Sequence, residues 1–308
     1  MSNSTRKTKG KRSDLQRRHS AFGLACATPA VILFVIFMVI PTINVFRMSL
    51  YKMSPLSDDK TFVGLANFMK LATDLKFVKA CQNTVLLLVL VTAITLPISI
   101  IFAAILTQSN IIGSGFLRFA MYIPSVLSAV VIAAIFSAIY DQKDGLLNGT
   151  LGFLGLKALR QVWLGNQKIV IYSIVFAMVW QAFGYYMVMY MSAMAGVSPE
   201  LYEASEIDGA GKVRQLFTIT IPLIWQNIRT TLTFFIISSV NMSFVLVTAM
   251  TNGGPDGASQ TVLGYMYKTA YTDATYGYGM AIGVVLFLFS FLLSLIVNQS
   301  TKREVLQF

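Results

Sequence analysis

The sequence predicts an all-α membrane protein with six transmembrane helices, and three observations carry that expectation. The chain is 56% hydrophobic and only 12% charged, against about a quarter charged in soluble domains. Its mean hydropathy is +0.67. Its charges fall into bands that leave charge-free stretches from Arg18 to Arg47, Lys79 to Arg118, Arg118 to Asp141, Lys168 to Glu200, Arg229 to Asp256 and Asp273 to Lys302. Each is long enough for the ~20 residues that cross about 30 Å of hydrocarbon as a helix.

In chain order, residues 1–21 form a basic tail in which Arg6, Lys7, Lys9, Lys11, Arg12, Arg17 and Arg18 face one acid, Asp14. The tail holds the N-terminus in the cytoplasm by the positive-inside rule. The spans follow at about 22–46, 84–107, 119–140, 169–194, 228–250 and 277–298, and an even number of crossings returns the tail 299–308 to the same side. In this orientation 13 Lys and Arg lie inside and 11 outside, so the N-terminal cluster rather than the overall bias sets the sidedness. The net charge of +11 then reflects topology and anionic lipid, not nucleic acid, since no aromatic residues interleave the basic tail. The first span is too long for a signal peptide and no small-residue cleavage site follows it. Pro41, Pro97 and Pro124 are expected to bend or break their helices, where irregular backbone is tolerated inside protein or along a cavity. Cys26 and Cys81 have no metal-ligand spacing and are read as packing residues. With one histidine, His19, and no Gly-x-Ser-x-Gly or His-Glu-x-x-His, hydrolytic chemistry has no support.

Between the fourth and fifth spans lies a polar helix-turn-helix segment, 196–223. Ser198 suits an N-cap, Pro199 the first helical position, and Glu200 and Glu203 the positive end of the helix dipole. Gly209-Ala210-Gly211 should break the helix, and Lys212 onwards should resume it until Pro222 stops it. The product reads as a docking handle. Glu203-Ala204-Ser205, Asp208-Gly209, Ile219 and Pro222 resemble the EAA loop of ABC-importer permeases, with Ser205 replacing the usual alanine and Ile221 a leucine. In that family the loop is the coupling helix seated in a groove of the ATP-hydrolysing subunit. The resemblance implies that role for Glu203, Ala204, Ser205, Asp208, Gly209, Ile219 and Pro222.

The membrane part carries no mid-span charge of the kind that ion-coupled carriers retain at a cost of about 2.5–3.5 kcal/mol each. It also has no phosphate loop, since Gly211-Lys212 lacks both the upstream glycine and the following Ser or Thr. Energy must therefore come from a separate ATPase, and ATP and Mg²⁺ are expected on partner subunits with no cofactor on this chain. An ion-coupled secondary carrier is the alternative of another class.

The fourth span contains Trp180-Gln181-Ala-Phe-Gly-Tyr185-Tyr186 and then Tyr190, and the fifth Ser238, Ser239, Asn241 and Ser243. Neutral hydrogen-bonding groups beside rings suit sugar recognition, and Ser and Asn equally glue helices in lipid. These segments, with Phe244-Val-Leu and Thr251-Asn-Gly253-Gly254-Pro255, are similar to the larger membrane subunit of the maltose importer through about residues 80 to 298. The similarity implies an ABC type I importer permease fold, with sugar held mid-membrane by Tyr185 and Ser243 and with Ser239 next in line. Gln181 and Asn241 complete the expected path. Ser243 stands where that subunit has asparagine, and no large domain interrupts the early spans, so the sugar is expected to differ.

Outside, Gly253-Gly254-Pro255-Asp256-Gly257 is a turn-rich loop that by resemblance meets a solute-binding protein. Tyr265, Tyr267, Tyr271, Tyr276 and Tyr278 are expected to form an interfacial belt, and Gly279 and Gly283 a close-approach face for a partner helix. The expected assembly is this subunit, a second homologous permease, two ABC ATPase subunits and an extracytoplasmic sugar-binding protein, in the lipid of a bacterial cell membrane.

Overall fold

The computed structural model describes residues 5–108 and 112–302, and the C-terminal positions 303–308 of the expected tail lie outside the described residues. Its helices are α1 (Thr5–Phe34), α2 (Ile40–Met48), α3 (Ala66–Ala72), α4 (Leu75–Gln108), α5 (Ser114–Val126), α6 (Ala129–Ile139), α7 (Leu146–Phe153), α8 (Val170–Met194), α9 (Pro199–Ile207), α10 (Lys212–Gln215), α11 (Ile221–Leu223), α12 (Trp225–Met250), α13 (Val262–Tyr267) and α14 (Tyr276–Ser300). A hairpin of β1 (Tyr51–Ser54) and β2 (Ser57–Phe62) follows α2. Among the described residues, five helical stretches are long and apolar enough to cross a membrane: Phe22–Met48, Leu75–Thr107, Val170–Met194, Trp225–Met250 and Tyr276–Ser300. The first begins as helix already at Thr5, because nothing between tail and span interrupts helical hydrogen bonding.

Where the sequence predicts one span over 119–140, the chain forms two helices, α5 and α6, meeting at 102°. Leu127 and Ser128 are both extended, with ψ of 144° and 149°. The Ser128 hydroxyl accepts from the Val131 amide at 3.4 Å and so starts α6 afresh. The break falls three residues after Pro124, whereas Pro97 lies inside unbroken α4. At Pro41 and Pro222 the helix also continues. Each follows a π turn, Val35–Val39 and Leu216–Thr220, whose wider, i→i+5-bonded ring relieves the clash between a proline ring and the carbonyl four residues back. Pro222 therefore opens α11 and does not stop the segment.

Alternate connections gather at opposite ends. At one end, the Asn67 amide donates to Ser49 and Tyr51 carbonyls, and the Asn83 amide to Gly257 and Gln260 carbonyls. At the other, Arg118 caps α4 through the Leu106 carbonyl, 2.8 Å. There too Trp225 Nε1 donates to the Thr301 carbonyl, 2.9 Å, and Arg229 to Asn298. The main core lies among α4, α6, α8 and α12, with Leu87, Ile132, Ile174, Met187, Tyr190 and Leu246 fully buried. Ser99 donates to the Phe183 carbonyl at 2.9 Å, tying α4 to α8. Gly184 lets α5 cross α8 closely, since a Cβ there would sit 1.9 Å from the Met121 carbonyl oxygen.

A second cluster holds the end that carries the hairpin. Asp74 caps α4 through the Lys76 and Phe77 amides, and its other oxygen accepts from Tyr265 (2.6 Å) and Tyr278 (2.7 Å). The Lys70 ammonium lies 4.6 Å from the Tyr278 ring centre. Tyr265 and Tyr278 thus depart from the expected interfacial belt, because a carboxylate partner draws their hydroxyls inward. Tyr267, Tyr271 and Tyr276 form a ring cluster, tilted between the first two and edge-on between the last two, with centroids 5.0 and 5.6 Å apart. Burial acts to raise the Asp74 pKa, but the two phenols and two amides outweigh it and hold it below its ordinary value. A depressed acid stabilises above its unfolded pKa and loses that contribution only as pH falls through the lower folded value. The cluster should therefore hold through neutral and mildly acidic pH. Asp74→Ala should cost about 1–2 kcal/mol locally, read as faster hydrogen exchange at amides 75–80 and 262–266; unchanged exchange would assign those amides' protection to apolar packing alone.

Two further expectations change. Gly279 approaches Ala270 of its own chain, whose Cβ would lie 2.6 Å from an added one, and Gly283 faces Met266, so this stripe is used internally. Cys26 is exposed, since none of the apolar stretch of α1 and α2 is buried within the chain.

Candidate functional site

The central cavity opens between α8 and α12 and has a volume of about 510 Å³. On α8 its lining follows one helical face, Met178, Gln181, Ala182, Tyr185, Tyr186 and Met189; on α12 it is Thr231, Phe234, Phe235, Ser238, Ser239 and Met242. Val91 of α4 and Ser125, beside the α5–α6 break, complete the wall. The broken helix thus has a structural consequence, because it brings Ser125 to the cavity. Tyr185 is 46% exposed and packs edge-to-face on Tyr186, 5.2 Å between centroids. Tyr186 packs in turn on Phe235 at 4.8 Å. At the base, the Tyr190 hydroxyl lies 2.7 Å from Thr231 Oγ1. None of the lining residues is Asp, Glu, Lys or Arg, so the site offers hydroxyls, an amide and ring faces.

Of the expected path residues, the structure brings Gln181, Tyr185 and Ser239 together around this cavity. Ser243 stands apart: it is 1% exposed and its hydroxyl donates to the Val240 carbonyl of its own helix at 2.8 Å. Asn241 is exposed on a different side of α12. Ser239 and Ser243 do share a helix face, but periodicity fixes only direction, and the α12 lining runs to Met242 without including Ser243. Tyr186, quoted in the fourth-span segment without being placed on the path, also lines the cavity, and Ser125 is a lining residue that patterning did not single out; the Pro124-Ser125 pair beside an N-cap serine is the signal that could have pointed to it.

The polar segment between α8 and α12 begins with Ser198 and Pro199 as expected at the start of α9, although the Ser198 side chain makes no cap bond. After α9, Gly209 takes φ +77°, with nothing of this chain within 4 Å of where a Cβ would stand. Glu203, Ala204, Asp208 and Gly209 are exposed, while Ser205, Ile219 and Pro222 are half-buried. Ile207 is 88% exposed, and Val213 and Phe217 are exposed as well. The surface is thus acidic with apolar knobs. Lys212 pairs with Glu206 and holds its carboxyl below the usual range. At the other end, Gly253 is buried against Gln260, Gly254 and Pro255 are half-buried, and Asp256 is exposed.

A family model, binding-protein-dependent transport system inner membrane component, matches residues 95–304. The chain belongs to this family. As a permease it is 35% identical to the diacetylchitobiose uptake system permease protein NgcF of Streptomyces coelicolor over 86% of this chain and 78% of that one. It is 29% identical to the arabinooligosaccharides transport system permease protein AraP of Halalkalibacterium halodurans, over 87% and 84% of the two chains. In fold it matches a chain of a bacterial ABC transporter involved in import of the acidic polysaccharide alginate, with a TM-score of 0.81 at 22% identity, covering 94% of the permease and 97% of that chain. The matched region contains the cavity faces of α8 and α12, the polar segment between them and the loop at 253–257. The hairpin 51–62 lies outside it.

Proposed function

We propose that this permease forms half of the translocation path of an ATP-driven importer of oligosaccharide-type carbohydrate, paired with a second, homologous permease. The observation that carries the reading is the mid-helix cavity. Gln181, Tyr185, Ser238 and Ser239 offer donors and acceptors beside aromatic faces without a fixed charge, the chemistry a neutral sugar requires. The names of the relatives, which specify diacetylchitobiose and arabinooligosaccharides, support the same substrate class. Two ATPase subunits bind the 200–222 loop from the cytoplasm and hold the ATP and Mg²⁺, and this chain hydrolyses nothing. A sugar-binding protein delivers substrate at the 253–257 loop on the outer face. Both termini are cytoplasmic, and the exposed apolar flanks face lipid in a bacterial cell membrane. Closure of the ATPases moves the coupling helix, and the two permeases rock to open the cavity alternately.

In vesicles reconstituted with the whole assembly, uptake should require ATP and persist when proton and sodium gradients are collapsed. Transport driven by an imposed ion gradient without ATPase subunits would replace this reading with an ion-coupled carrier.

A further inference from the structure

The bend between α9 and α10 looks like a free hinge, with a left-handed glycine at its centre and open space around it. A buried hydrogen-bonded ring closes it. Gln215, the last residue of α10, is 0% exposed, and its Nε2 donates across the bend to the Tyr202 carbonyl (3.2 Å) and to Ser205 Oγ (2.9 Å). The Ser205 hydroxyl donates to the same Tyr202 carbonyl at 2.8 Å. The Tyr202 hydroxyl lies 3.0 Å from Thr220 Oγ1, and Thr220 Oγ1 is 3.4 Å from the Gln215 carbonyl, which it reaches across the π turn. The ring thus runs from Tyr202 to Thr220, Gln215, Ser205 and back, spanning both the glycine bend and the π turn before Pro222. Gln215 Oε1 is buried with no hydrogen-bond partner, a penalty normally avoided; what the side chain supplies here is its pair of donated bonds. Ser205, which stands where the EAA pattern has alanine, provides the hydroxyl that receives one of them.

We propose that Gln215, with Tyr202, Ser205 and Thr220, is a positioning set that locks the coupling helix to the α10–π-turn segment leading through α11 into α12, so that a push on α9 is passed on towards α12 and is not absorbed at Gly209. This rests on α9 being the ATPase contact. α12 carries Thr231, Phe234, Ser238 and Ser239 of the cavity, and the Ile224 amide, in the turn just before it, donates to the Thr220 carbonyl at 3.0 Å, so the lock ties the ATPase-facing surface to the cavity wall through α11 and this turn.

Hydrogen exchange on the full assembly in nanodiscs tests it without any sugar, comparing the resting state with that trapped by ATP and orthovanadate. In the parent protein, protection should change both over 199–207 and over 225–232. In Gln215→Met, which keeps the volume and removes the donors, the change over 199–207 should persist while that over 225–232 is at least halved. Tyr202→Phe, which removes one bond and no volume, should move the same way and serves if the first variant does not accumulate. A merely structural role would alter both segments together. An undiminished response over 225–232 overturns the lock, whereas no response over 199–207 in the parent protein overturns the ATPase contact itself.

Discussion

Gly209→Trp and Glu203→Lys should each abolish uptake and loosen ATPase association while the subunit stays in the membrane at normal level. Gly209 sits at φ +77° with open space on its outer side. A Cβ there meets nothing within 4 Å among the described residues, and its intrinsic cost is the backbone term of about 1–2 kcal/mol. A bulky ring at that position should therefore be felt chiefly by whatever docks against the loop. Glu203 is exposed at the middle of α9, so a lysine there costs the helix little and chiefly reverses the charge that α9 offers a docking partner. Gly209→Ala separates the two contributions, since it carries the strain without the bulk and should retain part of the uptake. Normal uptake in both Gly209→Trp and Glu203→Lys, with ATPase subunits still co-purifying, would remove the loop from the coupling role.

Tyr185→Ala should lower uptake roughly tenfold or more, the equivalent of about 1–3 kcal/mol of lost stacking and hydrogen bonding. ATPase activity stimulated by the binding protein should survive, because docking and hydrolysis use other surfaces. The half-exposed Tyr185 ring stands edge-on to Tyr186, so its removal leaves the cavity wall standing and deletes one projecting face. Ser239→Ala should act in the same direction more weakly, and Ser243→Ala should have little effect, because that hydroxyl is turned to its own helix backbone. Leu288, exposed on α14, provides the control. If Tyr185→Ala transports as well as the Leu288 variant, these residues serve helix packing and the path lies elsewhere.

The charge-free stretches by themselves determined that this chain is helical and membrane-embedded, because a backbone in hydrocarbon must satisfy its own hydrogen bonds and twenty apolar residues suffice. The helix-and-bend shape of the polar segment was equally legible, since Pro199 and Gly209 act through local backbone preferences that need no distant partner. Only the tertiary structure decided what each helix face meets. It ended the cavity wall before Ser243, turned Gly279 onto Ala270, broke the third predicted span at Leu127 and set Tyr265 and Tyr278 on Asp74. The last two pairings join residues 191 and 204 positions apart. Periodicity states which side chains point the same way, but not which surface they point at, and in a bundle of uniformly apolar helices that surface is chosen by packing between segments far apart in the chain.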